Sequence, residues 1–230
     1  MHINLTEFDL FIELNRHLGI NFVESLDPYH RLVFAAAVGY VSVVEKTLRV
    51  IDDPSFSDSI ALRFAAYYGN IAIVGLLLSD GRVKYPLAVD MYDTLVRRGL
   101  GTHYEITRLL LERYPSDRDI DYAFGTAVVK NKPNFVKLFL KYYDPSGDDS
   151  FGLYLACKYD HQSIVEILLK DGRSSPRAHG HDALRVAIKY DHYDCVNMLI
   201  DDGRIDGSMV EYFEKEYETT FNNNIDKKFV

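Results

Sequence analysis

Two apolar doublets separated by two positions recur along the chain. They read Ile73-Val74 with Leu77-Leu78, Phe135-Val136 with Phe139-Leu140, Ile164-Val165 with Leu168-Leu169, and Cys195-Val196 with Leu199-Ile200. Val43-Val44 with Leu48, and Ile106 with Leu110-Leu111, are looser copies. Apolar residues at i, i+1, i+4 and i+5 form one face of an α-helix, so each copy predicts a helix. Four residues before each first doublet stands a turn position: Gly39, Gly69, Thr102, Asn131, Asp160 and Asp191. Successive differences are 30, 33, 29, 29 and 31 residues. Self-similarity at such a period predicts an array of small helical units.

A first helix is predicted before each turn. Seven residues upstream lie Leu32, Leu62, Leu95, Phe124, Leu153 and Leu184, and four upstream lie Ala35, Ala65, Ala127, Ala156 and Ala187 in all but the third copy. Positions three and four apart share a helical face, and alanine there lets two helix backbones approach closely. Gly81, Gly172 and Gly203, each in Asp-Gly-Arg, follow the second helix where a left-handed residue is expected. In this motif glycine closes the helix, while Asp and Arg are expected to solvate its exit. Asp52-Asp53-Pro54, Asp144-Pro145-Ser146-Gly147 and Ser174-Ser175-Pro176 read as short turn or hairpin segments between units.

Short helix, turn, helix, glycine exit and hairpin loop resemble the ankyrin repeat. Ala65-Ala66-Tyr67-Tyr68-Gly69-Asn70 followed by Ile73-Val74 and Leu76-Leu77-Leu78 is similar to its core consensus. The resemblance implies an all-α fold, an ankyrin-repeat solenoid of stacked helix-turn-helix units joined by short hairpin loops. It spans residues 28–206 as about six repeats, with 1–27 as an N-terminal cap or degenerate repeat and 207–230 as a capping helix and tail. Divergent arrays with Asp-Gly-Arg exits are similar to those of protists and large DNA viruses. The third copy departs most, with Arg98-Gly99 at the alanine pair and Gly101 beside the turn, which predicts a bulge or an early helix end. No copy has the Thr-Pro pair that usually opens the family's first helix.

The net charge of -8, from 34 acidic and 26 basic side chains, argues against general nucleic-acid binding. Glu7, Asp9 and Glu13 break any signal-peptide core, and no apolar run reaches a membrane span. An intracellular, cytoplasmic location and a monomer without membrane contact are therefore expected. The two cysteines, Cys157 and Cys195, fall on core faces and read as small hydrophobes rather than a disulfide framework.

No phosphate-cradling loop, dinucleotide fingerprint, zinc-protease motif or nucleophile elbow is present, so neither catalysis nor a cofactor is expected. His179 and His181 could ligate a metal, but no Cys cluster accompanies them, and a solvated loop is the expected reading with no metal bound. His103, His161 and His192 follow turns directly, where the family commonly places His or Asn to satisfy nearby backbone.

The resemblance implies binding of another protein, as scaffold or adaptor, through the concave face formed by first-helix ends. Here those ends read Tyr67-Tyr68, Val129-Lys130, Lys158-Tyr159 and Lys189-Tyr190. Tyr67, Tyr68, Lys130, Lys158, Tyr159, Lys189 and Tyr190 are the candidate contacts, suited to an acidic or aromatic partner segment. The competing account of the tyrosines is packing along the neighbouring repeat with the hydroxyl in water. A substrate-recruiting subunit of a ubiquitin ligase, docking through residues 1–27, is the alternative function, though no F-box-like motif stands there. An enzyme with an unrecognised site is a further alternative.

Overall fold

The computed structural model describes residues 19–84, 91–114 and 120–216, and among these every regular element is helical. The chain divides into two compact units, Met1–Asp119 and Ile120–Val230. The first contains α1 (Ile20–Ser25), α2 (Pro28–Val38), α3 (Val41–Leu48), α4 (Phe56–Tyr67), α5 (Ile71–Ser79), α6 (Met91–Arg98) and α7 (Gly101–Arg113). The second contains α8 (Ile120–Val129), α9 (Pro133–Phe139), α10 (Gly147–Lys158), α11 (Gln162–Asp171), α12 (Ala178–Lys189) and α13 (Tyr193–Asp201). Residues 208–216 are helical as well. Residues 1–18 and 217–230, where the outer parts of the two caps and of any ligase-docking segment were expected, lie outside the described residues.

Within each unit the helices pair as the apolar pattern requires. First helices stack on first helices (α2, α4, α6; then α8, α10, α12), and second helices on second helices (α3, α5, α7; then α9, α11, α13). Ala35, Ala65, Ala127, Ala156 and Ala187 are wholly buried, as are Leu32, Leu62, Leu153 and Leu184 seven residues before their turns. Helix starts follow local chemistry. At α2 the Asp27 carboxylate accepts from the Tyr29 and His30 amides at 3.1 and 3.3 Å, with Pro28 at the first helical position, where its missing N–H costs nothing.

The third helix pair departs from the expected register. α6 ends at Arg98, and the turn residue is Gly99 (φ 62°) rather than Thr102, which lies inside α7. The physical reason is the early helix end foreseen at Arg98-Gly99. Glycine takes the left-handed conformation freely, and its amide closes on the Leu95 carbonyl at 3.0 Å. The three residues gained go into the second helix, so α7 runs for 13 residues whereas α5 runs for 9. Leu95 thereby stands four residues before the turn, the place alanine holds elsewhere, and it is fully buried there.

The other turns are left-handed too: Gly39 and Gly69 in the first unit, and Asn131, Asp160 and Asp191 in the second (φ 50°, 54° and 58°). Asn and Asp tolerate this conformation better than other side chains because their short polar groups hydrogen-bond locally. First helices begin in an unusual way. Ser57, Asp58 and Ser59 form a left-handed turn ahead of α4's right-handed part, as do His179, Gly180 and His181 ahead of α12's. This is the device that stands where the Thr-Pro pair is missing. Ahead of α4 it is held by the loop that follows α5, since Ser59 Oγ donates to the Lys84 carbonyl. At the corresponding place in the first turn of α10, Ser150 Oγ accepts from the Ser175 amide at 2.8 Å.

The Asp-Gly-Arg motif does more than solvate a helix exit, which corrects the sequence expectation. In each copy the arginine is gripped by the aspartate two residues earlier, and its guanidinium reaches back to backbone carbonyls of the preceding pair. Arg82 donates to the Leu48 and Ile51 carbonyls at 2.7 and 2.6 Å. Arg173 donates to Leu140 and Tyr143 at 2.6 and 3.1 Å. Arg204 reaches Leu169, Gly172 and Ser174 at 3.5, 3.1 and 2.8 Å. The carbonyls at the end of a helix lack intrahelical partners, so each arginine caps the helix of one repeat from the next. The Arg82 and Arg173 hydrogen bonds hold the Asp80 and Asp171 carboxyls below their usual range. Gly172 (φ 82°) and Gly203 (φ 78°) are left-handed as expected, but Gly81 is not, because Asp80 already leaves α5 in an extended conformation.

Candidate partner-binding face

The ends of the first helices are fixed by a second set of backbone clamps. One residue after the turn, Asn70 donates to the Ala36 and Ala37 carbonyls, both at 2.8 Å. His161 meets the Val128 carbonyl and His192 the Cys157 carbonyl through Nδ1, each at 2.8 Å. Each imidazole thus donates to the final turn of the preceding first helix and satisfies a carbonyl that the helix itself cannot. His103 does the same from a different position. Its Nε2 lies 3.0 Å from the Tyr67 carbonyl, reached from within the extra turn of α7 rather than from beside the turn residue.

In the second unit the tyrosines lie over these clamps. Tyr159 stacks on His161 at 5.9 Å and Tyr190 on His192 at 6.0 Å, with interplanar angles of 27° and 25°. Both rings nonetheless remain 45% and 47% exposed, enough to offer an aromatic face to a partner. The Lys158 ammonium lies 5.6 Å from the Tyr159 ring and 5.9 Å from Tyr154, and Lys189 lies 5.6 Å from Tyr190. Lys130 is exposed at the corresponding end of α8. Lys130, Lys158 and Lys189 form no ion pair among the described residues, although the chain as a whole is acidic.

In the first unit the arrangement differs. Tyr67 and Tyr68 are half-buried, set edge to face at 5.0 Å. The Arg98 guanidinium lies 3.9 Å from the centre of the Tyr67 ring, so that aromatic face is already occupied by a cation. The candidate contacts therefore fall into two groups: in the first unit a cation covers the face of Tyr67, whereas in the second unit Tyr159 and Tyr190 stack on the histidine clamps with lysines beside them and keep an exposed face.

Sequence reasoning missed the neighbouring surface. Phe151 and Tyr154 stand nine and six residues before the Asp160 turn, on the outward side of α10, with their rings stacked at 5.6 Å and Phe151 52% exposed. An aromatic on the outward side of a helix whose inward side is already apolar was the available signal. Neither residue stands at a position that recurs from copy to copy, so the period carries no sign of them.

Residues 122–208 match the family model for ankyrin repeats in three copies. Ankyrin repeats generally mediate protein–protein interaction and are typically non-catalytic. The match covers the second unit from α8 through α13, and it supports an ankyrin repeat family for this chain. The helical pairing of the first unit is of the same kind. A comparison with curated proteins finds no match.

The titrating groups follow the architecture. Hydrogen bonding to Cys195, together with burial, pushes the Cys157 thiol well above its ordinary value, so it stays protonated as a core side chain. Cys195 Sγ in turn donates to Asp160 Oδ1 at 3.3 Å. The amides of Ser146 and Ser208 hold Asp144 and Asp206 low, as expected of carboxylates that close turns. Among the described residues, no group of three or more His, Cys, Asp or Glu side chains is placed to hold a metal ion, and His179 and His181 belong to the left-handed turn before α12. No helix among the described residues is long and apolar enough to cross a membrane.

Proposed function

We propose that this chain is a non-catalytic interaction module, a scaffold or adaptor that grips another protein through the first-helix ends of its ankyrin-type repeats. The observation that carries this reading is the row of exposed Lys130, Tyr159, Lys189 and Tyr190 with half-buried Lys158, whose lysines have no carboxylate partner among the described residues in a chain of net charge -8. Unpaired cations of one sign on a rigid face steer an acidic partner toward it, and exposed tyrosines add contact area at small entropic cost. Tyr67 and Tyr68 form a secondary contact area, because Arg98 must leave Tyr67 before a partner can take its face. Residues 28–206 make up the array, and the segments on either side close its ends.

Affinity capture from the native cell, comparing the unaltered chain with a Tyr159→Ala, Tyr190→Ala double variant, tests the proposal. The captured partner should be lost or strongly reduced with the variant, while far-UV dichroism and melting stay unchanged. Equal capture by both proteins would overturn the assignment of this face.

A further inference from the structure

Between α10 and α12 lies an open cleft of about 490 Å³, within the size range of sites that hold a small ligand or a few side chains. Phe151 and Tyr154 line its apolar part together with Ala183 and Val186, which are each 6% exposed, and Ser150, Ser175, His179 and Asp182 supply polar lining. Two charge features define the rim. Arg185 is balanced by Asp182 at 3.4 Å and Glu216 at 3.3 Å, the latter from the helical stretch 208–216. Among the described residues Lys189 has no such partner, and on the far side of Tyr154 neither has Lys158. The cleft is thus an aromatic shelf with one neutralised edge and two unbalanced ammonium groups toward the turn end.

We infer that this cleft seats a short acidic segment of a partner protein, which places one aromatic or branched apolar side chain against Phe151, Tyr154 and Val186 and sets flanking carboxylates on Lys158 and Lys189. The inference rests on the partner-binding reading above and adds the chemistry of the bound segment. Burying an exposed aromatic ring is favourable in proportion to the apolar surface removed from water, so the apolar insertion supplies affinity and the lysines supply orientation. Lysines beside tyrosines could also hold single-stranded nucleic acid, by charge and base stacking. The acidic total charge disfavours that occupant, because a phosphate backbone is repelled by the rest of the surface.

The test is a methyl NMR titration of the full chain, following Val186, with three synthetic peptides and an oligouridine strand. One peptide carries a single phenylalanine between glutamates, one replaces that phenylalanine with serine, and one replaces the glutamates with lysines. The first should shift the Val186 methyls in a saturable way, and the other two should not. A Lys158→Glu, Lys189→Glu double variant and a Phe151→Ser variant should each weaken the first peptide by about tenfold or more. Phe151 and Lys189 are exposed and Lys158 is half-buried at the end of its helix, so helicity should be retained.

Silent Val186 methyls with the phenylalanine–glutamate peptide would overturn the inference. So would equal binding of the lysine peptide, or tighter binding of oligouridine at the same methyls. If Val186 stays silent while Tyr159→Ala, Tyr190→Ala still abolishes partner capture, the cleft assignment falls and the partner face stands. If neither responds, both fall.

Discussion

The two units are made of the same helix pair and hold it together differently. In the second unit every junction between pairs repeats the same two clamps, an imidazole from His161 or His192 on the preceding first helix and a guanidinium from Arg173 or Arg204 on the preceding second helix. In the first unit one junction has the full set, with Asn70 and Arg82. At the next, the third pair has no Asp-Gly-Arg, its turn is displaced to Gly99, and the backbone contact seen among the described residues is made by His103, from a new position. The family match follows this division and falls on residues 122–208. A helical repeat tolerates wide substitution of its core, but its register depends on a few polar groups that find backbone carbonyls in the neighbouring repeat. Where those groups move, the pattern a family describes is lost while the helix pair survives.

The sharpest way to break this comparison is to force the irregular pair toward the regular one. Leu95 occupies the position that alanine holds in five other pairs, and it is fully buried. If the third pair had merely drifted, Leu95→Ala would be harmless. If its packing is built around the larger side chain, the substitution leaves a cavity and should cost about 2–5 kcal/mol. The reciprocal change, Ala156→Leu, should cost about 1–3 kcal/mol through overpacking between α10 and α11. Urea unfolding monitored by dichroism checks both. A neutral Leu95→Ala would mean that the third pair can return to the common register.

The clamps come next in size. Arg204→Met keeps the alkyl stem and removes the guanidinium that reaches Leu169, Gly172 and Ser174. The group is partly exposed, so the loss should be about 1 kcal/mol, below the usual value for a buried charged hydrogen bond. Arg82→Met should lower stability in the same direction and by less, since it removes fewer carbonyl contacts from a more exposed side chain. Hydrogen exchange should show the Arg204 effect in α11 and the Arg82 effect in α3. If both variants exchange like the unaltered chain, the Asp-Gly-Arg motif is no more than the solvated helix exit that its sequence suggests.

Much of this was legible before any coordinates. The doublets and the alanines gave the helix pairs, because a 3.6-residue period with small residues on one face admits few other packings. What escaped was contact between residues far apart in sequence. Nothing local to Asp171-Gly172-Arg173 indicates that the arginine will meet Leu140, 33 positions away. The turn of the third pair was misplaced for a related reason. Ile106, Leu110 and Leu111 keep the common spacing from Thr102, so a pattern match selects Thr102, whereas the backbone turns at the first residue able to go left-handed, Gly99. On the candidate face, the row at the helix ends could be read from position within the repeat. The occupation of Tyr67 by Arg98, and the shelf formed by Phe151 and Tyr154, depend on side-chain directions that spacing does not carry.

The smallest expected effect concerns the one imidazole that works from a displaced position. His103 is buried, its Nε2 meets the Tyr67 carbonyl, and its Nδ1 is buried without a hydrogen-bond partner. Burial lowers its pKa below the ordinary 6.5, the Tyr67 carbonyl opposes that shift, and the nearby Arg98 charge adds to it. The native state therefore favours neutral His103. The unfolded chain takes up a proton near pH 6.5, and the folded chain only at lower pH. This group's contribution to stability is thus fully present above pH 6.5, declines as pH falls below it, and levels off beneath the folded-state value. A His103→Asn variant keeps a donor but cannot protonate, so its stability should change less with pH between about 7 and 5 than that of the unaltered chain. The measurement is denaturant unfolding across that range, with hydrogen exchange in α4 and α7 to locate the response. Parallel pH profiles for the two proteins would mean that the unpartnered Nδ1 reaches water and that the displaced histidine is as forgiving as the clamps of the regular repeats.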